Sequence, residues 1–98
     1  MKSKQVLPFY KDSRWIAKRD VILRRDEYLC QYSKRFGKTV TANTVHHIYP
    51  IEDYPEYKWC TWNLISLSTE AHNKMHDRTT GKLTEIGEML KNKTIPPT

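Results

Sequence analysis

Cysteine is scarce in this 98-residue chain, with Cys30 and Cys60 its only two. They form no CxxC pair, which excludes a self-contained four-cysteine zinc site. No apolar run approaches the roughly 20 residues that a membrane-spanning helix needs, so a membrane is not expected as a partner. The start, MKSKQVLPFY, is basic but has no long apolar stretch behind it. A secretory signal is therefore not expected, and the two cysteines are expected as reduced thiols in a cytoplasmic protein rather than as one disulfide. Internal repeats and low-complexity segments are absent.

Acid is scarce too, but only at one end. Residues 1–38 carry eleven Lys and Arg against four Asp and Glu, a net of +7, whereas residues 39–98 carry six against seven. A field of that sign favours a polyanion such as nucleic acid, and the plainer alternative is a solvated, solubilising surface. Hydrophobic residues make up 38% and charged residues 29%, which places the chain among soluble single domains with one modest core. Six Tyr and three Trp supply bulky filling for it.

The segment from Lys11 to Leu29 reads as a helix that Asp12 or Ser13 can cap. Trp15, Arg19, Ile22 and Asp26 share one side of it, and Ile16 and Leu23 lie one step round; the apolar members form the buried stripe. Arg14, Lys18, Arg24 and Arg25 flank that stripe. Phe36-Gly37-Lys38 reads as a turn, and TVTANTVHHI as an extended approach to a pair of histidines. Pro50 and Pro55 bracket a charged loop. Trp59, Trp62, Leu64, Ile65 and Leu67 suggest a second strand and its lead-in. A second helix, capped by Ser68 or Thr69, is expected to run through STEAHNKMHDR and end near Thr80-Gly81. The tail holds one more helix, capped at Thr84 and weakened by Gly87, before a frayed Pro96-Pro97 end. The order is helix, hairpin-like strand pair, helix, tail.

His72 and His76 are four apart, the spacing by which a helix offers two imidazoles to one metal. The glutamate of HExxH is missing, because Asn73 stands there. Either His46 or His47 could supply a third ligand. Neighbours on a strand point to opposite faces, so the other must serve elsewhere, and a free histidine can act as general base. A structural zinc site built from all four histidines is the competing arrangement.

The text TVHHIYPIEDYPEYKWCTWNLISLSTEAHNKMHDR, from Thr44 to Arg78, resembles the HNH endonuclease family, and most closely its small phage-encoded members. The upstream FYKDSRWIAKRDVILRRDEYLCQYSKRFGK extends the likeness over most of the chain. The resemblance implies an α+β fold with a small ββα-metal (His-Me finger) core near residues 39–80. An N-terminal basic helix at about 11–29 and a short C-terminal helical extension complete a single domain over 1–98. It implies metal ligands at His46, His72 and His76, the last as in the colicin-type DNases. It makes His47 the general base and Asn63 the residue that steadies it through backbone contacts. The implied reaction is metal-dependent hydrolysis of DNA phosphodiesters, leaving 5′-phosphate and 3′-hydroxyl ends. One divalent ion is expected; three imidazoles suit Zn, Ni, Co or Mn better than Mg. Lys18, Arg24 and Arg25 are the expected contacts to the DNA backbone, with Lys74 and Arg78 further candidates on the ligand helix. Phage terminase subunits are an implied partner, which would place the protein in host cytoplasm. Many relatives carry two CxxC pairs for a structural zinc. Here those positions read Cys30, Ser33, Ser68 and Ala71, so that zinc is not expected, and Cys60 reads as a buried small hydrophobe. A non-catalytic DNA-binding module and a structural zinc adaptor are the alternative functions.

Overall fold

The computed structural model describes residues 8–97. Helix α1 is one turn, Pro8–Lys11, and α2 follows at Ser13–Arg25. Asp12 caps α2, its carboxylate accepting from the Arg14 N–H at 2.8 Å. The helix stops four residues short of the expected Leu29. Glu27 and Tyr28 take left-handed backbone angles (φ 57° and 58°), which end the helical run and turn the chain towards an isolated bridge between Leu29 and Thr41. Short α3, Gln31–Lys34, leads to strand β1, Thr44–His47. Two 3₁₀ turns, Pro55–Tyr57 and Thr61–Asn63, occupy the loop before strand β2, Leu64–Leu67. Helices α4, Thr69–Asn73, and α5, Glu85–Lys93, complete the order.

The sheet is one antiparallel pair with His46 opposite Ile65 and His47 opposite Leu64. Its register sorts side chains into two faces. Val45, His47, Leu64 and Ser66 share one face; Thr44, His46, Ile65 and Leu67 share the other. Helix α2 covers the first, burying Trp15, Ile22 and Leu23 with Val45 and Leu64. Against the second lie Cys30, Leu67, Ala71 and Met75, with Ile86 and Leu90 of α5 packed on them. The result is a strand–strand–helix core with flanking helices, the α+β architecture expected.

Polar groups pin the two layers together. Asp26 at the end of α2 pairs with Arg25 at 2.8 Å and accepts the Ser66 backbone N–H at 3.0 Å. Arg25 donates onward to the carbonyls of Thr61 and Leu64. Burial alone would raise the Asp26 pKa, but the Arg25 and Ser66 hydrogen bonds outweigh it and hold the carboxyl below its usual range.

The second helix is shorter than the histidine spacing suggests. It ends at Asn73, and the next turn tightens: the Lys74 and Met75 N–H groups bond to the carbonyls three residues back. Thr84, the cap of α5, takes the Lys74 carbonyl through its hydroxyl and the Met75 carbonyl through its N–H. His76 then sits in a bridge to Leu83. Cys60 is partly exposed rather than buried, because it precedes the second 3₁₀ turn in the loop.

Gly87 is buried, and a Cβ there would collide with the Met75 carbonyl oxygen and crowd Leu83. Gly87→Ala is expected to lower stability by about 1–3 kcal/mol, because the clash outweighs the helix-propensity gain of at most about 1 kcal/mol; urea unfolding measures it. Asp26 supports a second expectation. Its depressed folded pKa contributes stability above the ordinary carboxylate range, near pH 4, and that contribution fades as pH falls through the folded value. Asp26→Asn should flatten the acid limb of a plot of stability against pH, relative to wild type.

Candidate metal centre and catalytic cleft

Strand alternation sends the two adjacent histidines apart. His46 points to the α4 side and is 1% exposed. Its ring centroid lies 5.1 Å from that of His72 and 5.3 Å from that of His76, and those two are 5.5 Å apart. One ring nitrogen from each of the three lies within 4.8 Å of the others. Neither nitrogen of His46 has a hydrogen-bond partner among the described residues. A buried imidazole left so is costly, and a cation at the convergence of three lone pairs supplies the missing partner. The donor set fits one divalent ion of nitrogen-ligand preference.

Electrostatics prepares the same state. Burial, followed by the neighbouring His72, His76 and His47, pushes the His46 pKa down to about 2. Burial and then His76 lower that of His72. Unprotonated imidazoles are the ligating form. The Nδ1–H of His76 donates to the Gly81 carbonyl at 3.2 Å, which leaves Nε2 as the lone-pair nitrogen. His76 thus reaches the cluster from the turn after α4, not from the helix itself.

His47 points to the α2 side and is 6% exposed. Trp15 stacks on its ring at 5.0 Å and 25°, and Phe9 meets it edge-on at 5.8 Å. The Lys58 carbonyl lies 3.1 Å from Nε2. A carbonyl only accepts, so Nε2 carries the hydrogen and Nδ1 the lone pair. Burial lowers the His47 pKa to about 4, against the opposing pull of that carbonyl.

Asn63 is fully buried and staples the intervening loop. Its Oδ1 accepts the Tyr49 N–H at 2.7 Å; its Nδ2 donates to the carbonyls of Tyr49 at 3.1 Å and Tyr57 at 3.2 Å. The residue after Tyr57 is Lys58, so this staple also sets the carbonyl that orients His47.

All four histidines line one cleft of about 600 Å³. None of the five basic residues expected to contact DNA lines it. Arg24, Lys74 and Arg78 are exposed outside it, with Lys74 on a separate groove beside Tyr32 and Phe36. Lys18 donates to the Thr61 hydroxyl at 3.0 Å. Arg25, though exposed, is engaged by Asp26 and two backbone carbonyls. The basic residue that does line the cleft is Arg19. Its position within the apolar stripe of α2, one turn beyond Trp15, was the sequence signal.

The structure superposes on the crystal structure of the HNH endonuclease of the deep-sea thermophilic bacteriophage GVE2, determined with manganese ion. The TM-score is 0.64 and the identity 34%, over 66% of this chain and 71% of that one. The chain belongs to the HNH endonuclease family. No family model and no curated protein matches it. This HNH endonuclease is a metal-dependent nuclease, and its histidine triad could hold one divalent ion. No helix among its described residues is long and apolar enough to cross a membrane.

Because an ion binds the folded state, adding manganese at about 100 times its Kd should stabilise the protein by about 3 kcal/mol, or a Tm rise on the order of 10 °C. His46→Ala is expected to abolish that shift in a thermal-denaturation series, and chelator to reverse it in wild type.

Proposed function

We propose that this HNH endonuclease hydrolyses DNA phosphodiester bonds with His47 as general base and Asn63 as its positioning residue. The observation that carries the reading is the divergence of the histidine pair: His46 joins the triad while His47 keeps Nδ1 free. His46, His72 and His76 would hold the ion. When bound, a divalent ion there supplies Lewis-acid stabilisation of the charge that builds on the phosphate and on the departing 3′ oxygen. His47 Nδ1 takes a proton from the attacking water, and the Lys58 carbonyl stabilises the imidazolium through Nε2–H. Its low pKa keeps that nitrogen unprotonated near neutral pH. Trp15 and Phe9 shield the ring and fix its plane. Asn63 acts at one remove, through the loop backbone.

Manganese is the ion we favour, supported by the ion in the phage GVE2 crystal and by an all-nitrogen donor set that suits Mg poorly. Zn and Ni are the competitors. Lys18, Arg24, Lys74 and Arg78 would bind the DNA backbone without reading sequence; Arg25 contributes through the fold. The nuclease unit is read as one domain over 1–98, with the ββα part at 39–80. Likeness to a bacteriophage enzyme supports a role with phage DNA in host cytoplasm, and terminase subunits are the partners to test.

The test is plasmid cleavage with Mn, Ni, Zn and Mg, beside His47→Ala. Cleavage should fall by about 10²–10⁴-fold in the variant, while the manganese-induced Tm rise persists. Equal cleavage by the variant would remove His47 from the role of base.

A further inference from the structure

We propose that Arg19 is a catalytic residue that grips the non-bridging oxygens of the scissile phosphate, an inference that rests on the nuclease reading of the same cleft. Arg19 lies on α2 one helical turn after Trp15, whose ring stacks on His47. Its side chain lines the cleft shared by the four histidines. Among the lining residues it is the one Lys or Arg, and Glu52 is the one carboxylate. Among the described residues no ion pair joins the two and no hydrogen bond engages the Arg19 guanidinium.

The Nε–H of Arg19 is buried without an acceptor. A buried donor in that state calls for an acceptor that arrives with a ligand. The chemistry of that ligand follows from the group. A guanidinium presents a planar fork that matches two oxygens of a phosphate, and it stays charged at every working pH. Arg19 is thus the cleft's fixed cation. Of its basic neighbours on α2, Arg14 pairs with Asp12, Lys18 donates to Thr61, Arg25 binds Asp26 and the backbone, and Arg24 is exposed; none of them lines the cleft. A diester gains negative charge on its non-bridging oxygens as water adds, so contacts from a preorganised fork strengthen towards the transition state.

The substrate that isolates this role is bis(4-nitrophenyl) phosphate, a small diester with no DNA backbone beyond the scissile group. With manganese present, Arg19→Gln should lose about 100-fold or more in kcat/KM on it. Arg19→Lys should recover only part, because a point charge cannot replace the fork. Arg35→Gln, which removes an exposed charge outside the cleft, should turn over the small diester like wild type. Manganese affinity by calorimetry and the Tm of the metal-free protein should be unchanged in Arg19→Gln. Metal-free protein should also bind duplex DNA with a salt slope about one lower in Arg19→Gln than in wild type, the loss of one phosphate contact. Wild-type turnover of the small diester by Arg19→Gln at unchanged metal affinity would overturn the proposal and leave the nuclease reading intact. If wild type itself cleaves neither substrate, the nuclease reading fails, and an unchanged salt slope then removes Arg19 as a phosphate contact as well.

Discussion

The site depends on one constraint of backbone geometry: successive side chains on a strand leave on opposite faces. His46 and His47 are adjacent on β1, so they cannot enter the same layer. Register completes the sorting, because His46 opposite Ile65 and His47 opposite Leu64 fix which face each takes. A slip of one residue would exchange them and put the wrong imidazole against α4. That register is guarded at several points. Asp26 holds the Ser66 N–H, the Ser66 hydroxyl donates to the Ile22 carbonyl, and Ile48 N–H donates to the Asn63 carbonyl beyond the paired residues.

The two faces give the two histidines opposite surroundings. His46 lies between the imidazoles of His72 and His76, and neither of its ring nitrogens has a hydrogen-bond partner among the described residues, which leaves a lone pair for a cation. His47 lies against Trp15 and Phe9 with one nitrogen tied to a carbonyl. Burial lowers both pKa values, yet the consequences differ. At His46 a lone pair is available to an ion; in the proposed mechanism that of His47 is kept for a proton. Arg19 enters the same cleft from α2, so each layer contributes to it: β1 the divided pair, the α4 region two imidazoles, α2 the aromatic wall and the guanidinium.

Much of this was legible in the sequence because it rests on short-range rules. The strand pair, a cap at Asp12 or Ser13, at Ser68 or Thr69 and at Thr84, and the pairing of His72 and His76 with one histidine of the 46–47 pair follow from alternation, capping and local spacing, while the choice of His46 came from the family resemblance. What escaped depends on contacts distant along the chain. The helix carrying His72 ends at Asn73, and Thr84, nine and ten residues further along, takes the carbonyls of Met75 and Lys74. His76 therefore reaches its position through a bridge to Leu83, although the four-residue spacing suggests a continuous helix. Arg25 looks like a free surface cation in one dimension, but β2 brings the Leu64 carbonyl to it. Arg19 and Asp26 were visible as charges inside an apolar stripe. Such a pattern marks a buried polar job without saying which: Asp26 pins the sheet, while Arg19 is left with a donor and no acceptor.

The corner where many relatives carry zinc-binding cysteine pairs shows how the same frame is held by other means. Cys30, Ser33, Ser68 and Ala71 come together: Ser33 donates to the Cys30 sulfur at 3.4 Å, and Cys30 and Ala71 share one buried cluster. Burial would raise the Cys30 pKa, but hydrogen bonds from Ser33 and Ser68 outweigh it. One thiol, two hydroxyls and a methyl group do not make a thiolate cage, so this corner has to be held by packing. Helix α5 supplies much of it. Ile86 and Leu90 pack on the cluster containing Met75, and Gly87 allows α5 to approach the Met75 carbonyl closely. Met75 directly precedes His76. The packing that stands in for the cage is thereby coupled to the placement of a candidate ligand, so loosening α5 should disturb the metal centre as well as the fold.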